Sequence, residues 1–538
     1  MLFVLLCMSA AAGCILAGKR LFHCFQLESY QFPGYFRSLR RNLLISVLPG
    51  FCMMLLTMIS CFCLSGLISH SKWLFCLAEA IILIGGGYLL GRVFSEKKAK
   101  KAFVFTPRVK RLYAVSFIVM TLLLLLVSAF IRNTPLPELP DRIAAAIILI
   151  FPALLPLLIA LCGLIAWPVE KLISELYFRD AQRILASRKD LIRIGITGSW
   201  GKTSVKFILG TILEEKYHTL VTPASFNTPM GVTKVIRSKL EPGHRVFVAE
   251  MGARHVGDIK EMCRLVHPRI GILTSVGPQH LDTFKTVERV ARTKYELIDA
   301  LPPDGESFFA DDDGLCTELY RKTTIKKTLS GMNSGSDDVW AENIHYSPDG
   351  SEFLLCTEKE QVACRTDLLG ELNIRNILLC ASVAYSLGLT SDQIARGIRR
   401  IRPIEHRLQL IRHPGGITVI DDAFNSNIRG AKQAFNVLKS FPGKRIVVTP
   451  GMVELGEREY GLNKEFGEAM SGCCDTAVLV GRKRSEAISA GLLESGFPGD
   501  SVHVVSTLEE ATELLKKISG PGDTVLFEND LPDQYTEK

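Results

Sequence analysis

The sequence of 538 residues is poor in tryptophan and in patterned cysteine. It has 4 tryptophans, and none of its 15 cysteines forms a C-x-x-C pair or a Cys/His set at zinc spacing. A structural zinc site is therefore not expected, and the thiols are expected to be reduced. Acidic residues are scarce in residues 1–168, which hold 16 lysines and arginines against 5 aspartates and glutamates.

The rest of the chain lacks an excess of basic residues. Residues 169–538 hold 47 lysines and arginines against 50 aspartates and glutamates, with no basic patch interleaved with aromatic residues. We therefore expect no nucleic-acid partner. The hydrophobic content of 48% is high, and its excess lies in residues 1–168. A chain of this length is expected to form two or three domains.

Residues 1–168 contain long apolar runs and are predicted to be an α-helical membrane region. The first run has no lysine or arginine before it, and Lys19 and Arg20 follow it, which favours an anchor over a signal peptide. Five segments are long enough, or nearly so, to span a bilayer: 2–18, 43–68, 73–92, 113–131 and 143–168.

Basic residues are concentrated in alternate connections between these segments. Loops 19–42 and 93–112 are rich in lysine and arginine, whereas the connections near 69–72 and 132–142 carry little net charge. The positive-inside rule predicts a multi-pass plasma-membrane protein with an outside N-terminus, five spans and the remainder of the chain in the cytoplasm. The lipid bilayer is thus an expected partner, and 169–189 is expected to be an amphipathic connector helix.

A glycine-rich turn follows the short apolar run that begins the chain after the predicted connector. Residues Ile194–Ser204 read I-G-I-T-G-S-W-G-K-T-S, and a helical pattern begins at once. Strand, glycine loop and helix form the setting of a phosphate-binding loop, with Lys202 toward the β- and γ-phosphates and the Thr203 hydroxyl on Mg²⁺. The residues expected to bind ATP here are Gly198, Ser199, Gly201, Lys202, Thr203 and Ser204.

Three predicted strands, 191–197, 245–250 and 269–274, alternate with helical patterns and indicate a largely parallel α/β sheet. Ligands gather at the carboxyl ends of such strands. The second strand ends in Glu250, and the third leads to His280. Carboxylate and hydroxyl oxygens suit Mg²⁺, and histidine can supplement them.

The motifs of this region resemble those of the Mur ligases. T-G-S-W-G-K-T, A-E-M-G-A-R-H-V-G-D-I at 249–259, and H-L-D-T-F followed by a lysine 14 residues after His280 carry the resemblance. The second motif, with its Glu-Met-Gly-Ala form and Gly257-Asp258-Ile259, looks like the branch that adds D-alanyl-D-alanine. The resemblance implies a central phosphate-loop domain over 190–400 and a Rossmann-like C-terminal α/β domain over 401–538.

The resemblance also assigns residues of the central domain. Lys294 matches the lysine that CO₂ can carbamylate, and its carbamate would join Thr203, Glu250 and His280 as a metal ligand. Asn227 and Thr228 would approach the γ-phosphate and the acyl substrate, and Asn376 would contact the nucleotide. Leu372 stands where the family has a histidine.

In the C-terminal domain the resemblance assigns four more residues. Arg407 matches the arginine that bridges to the phosphates of ATP when the domains close. Within D-D-A-F-N-S-N, Asp422 would contact the ribose, Phe424 would stack in place of the usual tyrosine, and Asn425 fits the same loop. Pro450-Gly451 stand in place of the family's Gly-Asp pair.

The activity implied is ATP-dependent amide formation through an acyl phosphate, with Lys202, His280, Lys294 and Arg407 as catalytic residues. ATP and Mg²⁺ are the implied cofactors, and the partners are a muramyl peptide or other carboxylate and an amino-acid or dipeptide amine. The membrane region takes the place of the family's domain that binds the uridine-diphosphate sugar. Two alternatives stay open: a ligase of another envelope polymer such as poly-γ-glutamate, and a non-catalytic ATP-binding scaffold of the wall machinery.

Overall fold

The computed structural model of the chain contains two compact units, Met1–Glu175 (unit 1) and Leu176–Lys538 (unit 2). Each is described by itself. The structure describes residues 2–95, 102–132, 151–224, 226–312, 314–413, 415–423, 427–453 and 455–530.

The described residues of unit 1 are mostly helical. Its helices are α1 (Leu2–Ala17), α2 (Lys19–Leu27), α3 (Phe32–Arg41), α4 (Leu43–His70), α5 (Lys72–Val93), α6 (Pro107–Arg132), a 3₁₀ turn at Phe151–Leu154, and α7 (Leu155–Ser187), whose last turns belong to unit 2. Among the described residues, four segments are long and apolar enough to cross a membrane: Leu43–Leu64, Lys72–Val93, Pro107–Val127 and Phe151–Ser187.

These four segments overlap four of the five predicted spans. The first predicted span differs, because α1 meets the length and hydropathy requirement only together with α2, to which it is bent by 52°. The predicted loop 19–42 is largely helical, since α2 and α3 occupy most of it. The fifth predicted span lies partly outside the described residues. Its described part continues without a break through most of the predicted connector as α7.

Small residues allow the helices of unit 1 to approach closely. A Cβ atom on Gly87 of α5 would lie 2.2 Å from the carbonyl oxygen of Gly13 in α1. Glu79 of α5 is buried, and its Oε1 accepts a 2.7 Å hydrogen bond from the Ser60 hydroxyl of α4. A polar contact therefore joins two helices that are otherwise apolar.

The first sheet of unit 2 is built around the strand that precedes the glycine loop. Its order is β2-β3-β1-β4-β5-β6-β7-β8-β9 in the described chain, parallel through β7 and antiparallel beyond it. The strands are β1 (Ile192–Thr197), β2 (Thr219–Val221), β3 (Val246–Glu250), β4 (Ile270–Leu273), β5 (Glu306–Ala310), β6 (Lys326–Gly331), β7 (Val339–Ser347), β8 (Gly350–Thr357) and β9 (Gln361–Thr366).

Helices cover both faces of this sheet, as the alternating pattern predicts. Two separate apolar cores result, one including Ile194 and Ile196 and the other including Phe247 and Leu273. The helices are α8 (Lys202–Leu213), α9 (Pro229–Lys239), α10 (Asp258–Val266), α11 (Leu281–Phe284), α12 (Val287–Asp299), α13 (Leu315–Lys322), α14 (Glu371–Ser386) and α15 (Ser391–Arg399).

The second sheet of unit 2 has the order β10-β11-β15-β12-β13-β14 and is parallel except for β10. Its strands are β10 (Gln409–Arg412), β11 (Thr418–Asp422), β12 (Arg445–Thr449), β13 (Thr476–Val480), β14 (Val502–Val505) and β15 (Thr524–Glu528). Its helices are α16 (Ile428–Lys439), α17 (Glu459–Ser471), α18 (Arg482–Glu494) and α19 (Leu508–Ile518), with 3₁₀ turns at Gly456–Arg458 and Gly499–Ser501. The predicted fold class, helical region followed by α/β, is confirmed.

Candidate active site

The glycine loop between β1 and α8 has a backbone that requires its two glycines. Gly198 has φ +154°, and a Cβ atom there would lie 2.1 Å from Thr274 Oγ1. Gly201 has φ +81° and precedes the first residue of α8. A side chain at either position would clash or strain the turn, so the glycines set the path by which the chain enters the helix.

Hydrogen bonds to the segment after β4 hold the loop in place. The N–H groups of Ser199 and Trp200 donate to the carbonyl and the hydroxyl oxygen of Ser275, both at 2.9 Å. The Ser199 hydroxyl contacts the backbone N and O of Gly277, both at 3.0 Å. These hydrogen bonds fix the path of the loop. The N–H groups of the first turn of α8 have no partner within the helix, as at any helix N-terminus, and would be available to a phosphate.

Lys202 folds back over the loop. Its Nζ donates to the carbonyl oxygens of Gly198 at 2.6 Å and Ser199 at 3.0 Å. Burial lowers the pKa of Lys202, Glu250 opposes the shift and the nearby Arg407 adds to it, so that the pKa lies at about 8. Lys202 is thus held where phosphate oxygens would restore its full charge.

Glu250 ends β3 beside this loop and is 1% exposed. Its Oε2 accepts from Thr203 Oγ1 at 3.0 Å and from Lys206 Nζ at 2.9 Å, and its Oε1 accepts from Asn227 Nδ2 at 3.1 Å. Burial raises the pKa of Glu250, but Lys206, Lys202 and the hydrogen bonds outweigh it, so that the pKa lies below its ordinary value. Glu250 is therefore a carboxylate, not a neutral acid.

Lys206 is a site residue that the sequence analysis missed. Its side chain is fully buried, and besides Glu250 it contacts the carbonyl oxygen of Ala224 at 2.5 Å. The signal was present in the sequence, since Lys206 lies between Val205 and Ile208 on the buried face of α8. A lysine among core positions needs an acidic partner.

Lys294 lies on α12 and is 1% exposed. Burial lowers its pKa well below the ordinary value, and Lys202 adds to the shift, against the opposing influence of Asp258, Glu296 and Glu250. A buried lysine with a strongly lowered pKa carries an uncharged, nucleophilic amine, which is the form that reacts with CO₂.

Of the four predicted metal ligands, two are in direct contact. Thr203 and Glu250 place two hard oxygen donors 3.0 Å apart at the phosphate loop, and such oxygens fit Mg²⁺. His280 follows β4 on the same edge of the sheet and precedes α11 in a left-handed conformation with φ 50°. Within the described residues, no three His, Cys, Asp or Glu side chains cluster closely enough to bind a metal by themselves.

Three further predicted residues come from two segments. Asn227 contacts Glu250 and is followed by Thr228, and Asn376 lies close to Gly201 of the loop. The Asn227 carbonyl oxygen accepts from the N–H of Gly252 at 2.8 Å, in addition to its amide contact with Glu250. The Thr228 hydroxyl caps α9 by accepting from Gly231. Asn376 is buried, and its Oδ1 would lie 3.1 Å from a Cβ atom on Gly201. Ser204 is buried in the first turn of α8.

A second cluster of charges lies at the carboxyl ends of β11 and β15. Asp422 and Glu528 are register partners on these strands, and Asp422 Oδ1 accepts from the N–H of Leu408 at 3.1 Å. Burial raises the pKa of Asp422 although Arg407 opposes the shift, and Glu528 shares a side-chain hydrogen bond with it. Glu528 is fully buried.

Arg407 connects the two clusters. Burial lowers its pKa, while Asp422, Glu250 and Glu528 act in the opposite direction, and Arg407 in turn acts on Lys202. Residues from both sheets of unit 2 thus act on one guanidinium. The predicted residues Phe424 and Asn425 lie outside the described residues.

Comparison with known sequences gives two family matches, both in unit 2. Residues 196–384 match the Mur ligase middle domain, and residues 406–528 match the Mur ligase glutamate ligase domain. Two similar relatives are UDP-N-acetylmuramoyl-tripeptide–D-alanyl-D-alanine ligases. That of Escherichia coli (strain K12) is 29% identical over 334 residues, 61% of this chain and 74% of the relative. That of Mycobacterium tuberculosis (strain H37Rv) is 31% identical over 355 residues, 62% and 69% respectively.

Solved structures show the same fold. MurF from Acinetobacter baumannii superposes with a TM-score of 0.61 at 24% identity and covers 67% of this chain and 78% of its own. The MurF ligase of Thermotoga maritima in complex with ADP gives 0.60 at 24% identity, with 68% and 81% covered. Fold, glycine loop and sequence matches agree, and the chain belongs to the Mur ligase family.

Proposed function

We propose that the protein is an ATP-dependent ligase that adds D-alanyl-D-alanine to a muramyl tripeptide in the synthesis of peptidoglycan precursors. The convergence of Lys202, Glu250 and Arg407 from two sheets on the phosphate loop carries this proposal. Two cations beside a loop of this kind suit the stabilisation of a transferring phosphoryl group. The named activity of the relatives from two distant bacteria supports the choice of substrates.

The reaction consists of two displacements. A substrate carboxylate oxygen attacks the γ-phosphorus of ATP, the bond to the β-phosphate oxygen breaks, and an acyl phosphate and ADP result. The amine nitrogen then attacks the acyl carbon, phosphate leaves, and the nitrogen loses a proton to give the amide. Lys202 and Arg407 neutralise charge on the phosphoryl group in the first step.

The residues of this chain also orient the site and exclude water from it. Asn227 and Thr203 hold Glu250 in one rotamer, and Arg407 is half-buried, with a pKa lowered by desolvation, so that its charge is only partly screened by solvent. Bound Mg²⁺ would supply further charge neutralisation of phosphate oxygens, with Thr203 and Glu250 as protein ligands and His280 contributed from the segment after β4.

Lys294 is proposed to act as a carbamate. Its burial and lowered pKa supply the uncharged amine that this modification requires. Carbamylation replaces a buried amine by an anionic group whose oxygens suit a divalent cation. This assignment, like that of the nucleotide contacts of Asn376 and Asp422, belongs to the proposal.

The proposed setting is the plasma membrane. The four apolar helices of unit 1 support a multi-pass arrangement with unit 2 in the cytoplasm, where ATP is present. The carboxylate substrate is then a muramyl tripeptide carried either by a uridine nucleotide or by a membrane lipid.

The test is phosphate release by the purified full-length protein in detergent. ATP, Mg²⁺ and D-alanyl-D-alanine are combined with either UDP-muramyl tripeptide or a lipid-linked muropeptide, and the amide product is identified by mass spectrometry. Turnover that requires both the carboxylate and the dipeptide is expected. Lys202→Ala is expected to lose this turnover, and Lys239→Ala, at an exposed position of α9, controls for nonspecific loss of a positive charge.

The proposal would be overturned if the protein released no phosphate with UDP-muramyl tripeptide and none with the lipid-linked muropeptide. No observation favours the two alternatives over it. A ligase of another envelope polymer would instead form product with a different acidic acceptor. A non-catalytic scaffold would bind ATP but would release no phosphate with any acceptor.

A further inference from the structure

A cleft in unit 1 lies between the α2–α3 turn, the start of α6 and the middle of α7. It holds ≈ 300 Å³ of space, including its open side. Most of its lining is aromatic or apolar, and the remainder is charged. Its lining includes Phe25, Tyr30, Phe32, Arg108, Trp167 and Glu170.

Tyr30 is held in the cleft by an unusual turn. Ser29 and Tyr30 have φ of 54° and 63°, a left-handed conformation that is costly for two successive residues other than glycine. The Tyr30 hydroxyl is buried, and it has no hydrogen-bond partner within the described part of the chain. A buried hydroxyl in this state calls for an explanation.

Arg108 lies against the same tyrosine. Its guanidinium carbon is 4.0 Å from the centre of the Tyr30 ring. Its nearest anionic group is Glu170, and the Nε–Oε2 distance of 3.6 Å exceeds that of a hydrogen bond. Among the described residues, therefore, Arg108 stacks on an aromatic face while its N–H donors make no close contact with an acceptor.

Glu170 is occupied by a different arginine. Arg111 donates to both of its carboxylate oxygens, at 2.6 Å and 2.8 Å. Two guanidinium groups thus face one carboxylate, and Arg111 forms the closer of the two pairs.

We propose that this cleft binds the phosphate of an amphiphilic lipid. Arg108 is beyond hydrogen-bond distance of Glu170, and the neighbouring Tyr30 hydroxyl has no hydrogen-bond partner in the described chain. A phosphate oxygen is an anionic acceptor that would satisfy both. The rings of Phe25, Phe32 and Trp167 surround them with apolar surface suited to a hydrocarbon chain. The chemistry common to the ligands is an anionic phosphate joined to a long apolar chain.

The position of the cleft along the helices fits a headgroup. Arg108 is in the first turn of α6, at the end of the apolar segment Pro107–Val127. Trp167 belongs to α7, and its ring contacts Lys171 Nζ at 5.2 Å. Tryptophan and basic side chains at the end of apolar helices are typical of the depth of lipid headgroups.

The test measures lipid binding to the full-length protein in a neutral detergent by native mass spectrometry. The probes are phosphatidylglycerol, a polyprenyl monophosphate, inorganic phosphate and zwitterionic phosphatidylcholine. The wild type is expected to retain one phosphate lipid and to discriminate against phosphatidylcholine. Tighter binding of phosphatidylglycerol identifies a bilayer lipid as the ligand, and tighter binding of the polyprenyl phosphate identifies a lipid carrier.

Three variants locate the binding. Arg108→Gln is expected to weaken it about tenfold, and Tyr30→Phe about threefold, as for one charged and one neutral hydrogen bond. Lys110→Gln removes the same charge from an exposed position of α6 and is expected to leave the affinity within about twofold. Tyr30→Phe keeps the test valid if Arg108→Gln fails to fold.

Wild-type affinity in both Arg108→Gln and Tyr30→Phe would overturn the proposal. So would an equal loss in Lys110→Gln, or displacement of the lipid by millimolar inorganic phosphate. The measurement uses neither ATP nor a ligase substrate, and every residue in it belongs to unit 1. Its failure therefore leaves the proposed ligase function unaffected, and the reverse also holds.

Discussion

Two carboxyl groups in unit 2, the buried Glu250 and the half-buried Asp422, have pKa values displaced in opposite directions. Burial raises the pKa of both. At Glu250 the lysines Lys206 and Lys202 and three hydrogen bonds reverse the effect, and the pKa falls below its ordinary value of 4.5. At Asp422 the single cation Arg407 does not reverse it, and the pKa stays above 3.8.

The difference lies in how many cations each carboxyl group has. At Glu250 the compensating positive charge comes from two lysines of α8, Lys202 and Lys206, and Lys206 is in direct contact with the carboxylate. The Asp422 cluster has two carboxyl groups, Asp422 and Glu528, facing one arginine. The first cluster is therefore a preformed ionic support for the phosphate loop. The second is short of positive charge, and it holds a proton more tightly.

The largest effect is expected where the two clusters meet. Lys202→Ala removes the cation that lies near both Glu250 and Arg407. ATP turnover is expected to fall about a thousandfold, because a preorganised cation on the phosphoryl group is lost. Steady-state phosphate release measures this, with membrane insertion and the thermal unfolding midpoint as controls. Turnover near the wild-type rate would refute the assignment of the site.

The next largest effect tests the ionic support. Glu250→Gln leaves the Lys206 ammonium buried without its anion, and Lys206→Met leaves the Glu250 carboxylate with neutral donors only. Each is expected to cost about 3 kcal/mol of stability. The double variant is expected to be less destabilised than the sum of the two, as measured by thermal unfolding followed by tryptophan fluorescence. Strict additivity would show that the two side chains do not interact.

A pH series distinguishes the two carboxyl groups directly. The lowered pKa of Glu250 gives stability that is present above pH 4.5 and lost on acidification, so the penalty of Glu250→Gln shrinks at low pH. The raised pKa of Asp422 gives stability that is full below pH 3.8 and lost as pH rises through the folded-state value. Asp422→Asn, which mimics the protonated form, is therefore expected to gain relative to wild type as pH rises. A constant difference between Asp422→Asn and wild type would contradict this.

Much of this arrangement follows from the sequence. The strands 191–197, 245–250 and 269–274 are predicted within one or two residues, because short apolar runs between glycine-rich turns are typical of buried parallel strands. The order of such strands brings Lys202, Glu250 and His280 to one edge of the sheet. Sequence pattern alone therefore predicts the phosphate loop and its neighbours.

The pairing of charges does not follow from the sequence. Lys206 and Glu250 are 44 residues apart, and only the packing of α8 against β3 brings them into contact. Likewise Glu528 belongs to the site because β15 lies beside β11, which is a matter of strand order in space. Loop 19–42 was predicted from its charge, whereas amphipathic periodicity makes it helical.

The smallest effect concerns the contact between the two sheets of unit 2. Arg429 Nη1 donates to the carbonyl oxygen of Asp312 at 3.3 Å. Arg429→Ala is expected to reduce kcat/KM by about threefold, since one partly buried hydrogen bond is lost. Arg412→Ala, which breaks the exposed pair with Asp349, is the matched control and is expected to stay within about twofold. Equal effects would show that the Arg429 contact has no special role.

The buried pair of Lys206 and Glu250 restricts how this sequence can vary. A change at either position alone passes through an intermediate with one uncompensated charge in the core, so the two residues can be exchanged only together. Engineering of the phosphate loop must therefore treat position 206 as part of it, although it lies a full helical turn beyond Lys202. A library that randomises Gly198–Ser204 alone would leave that constraint in place.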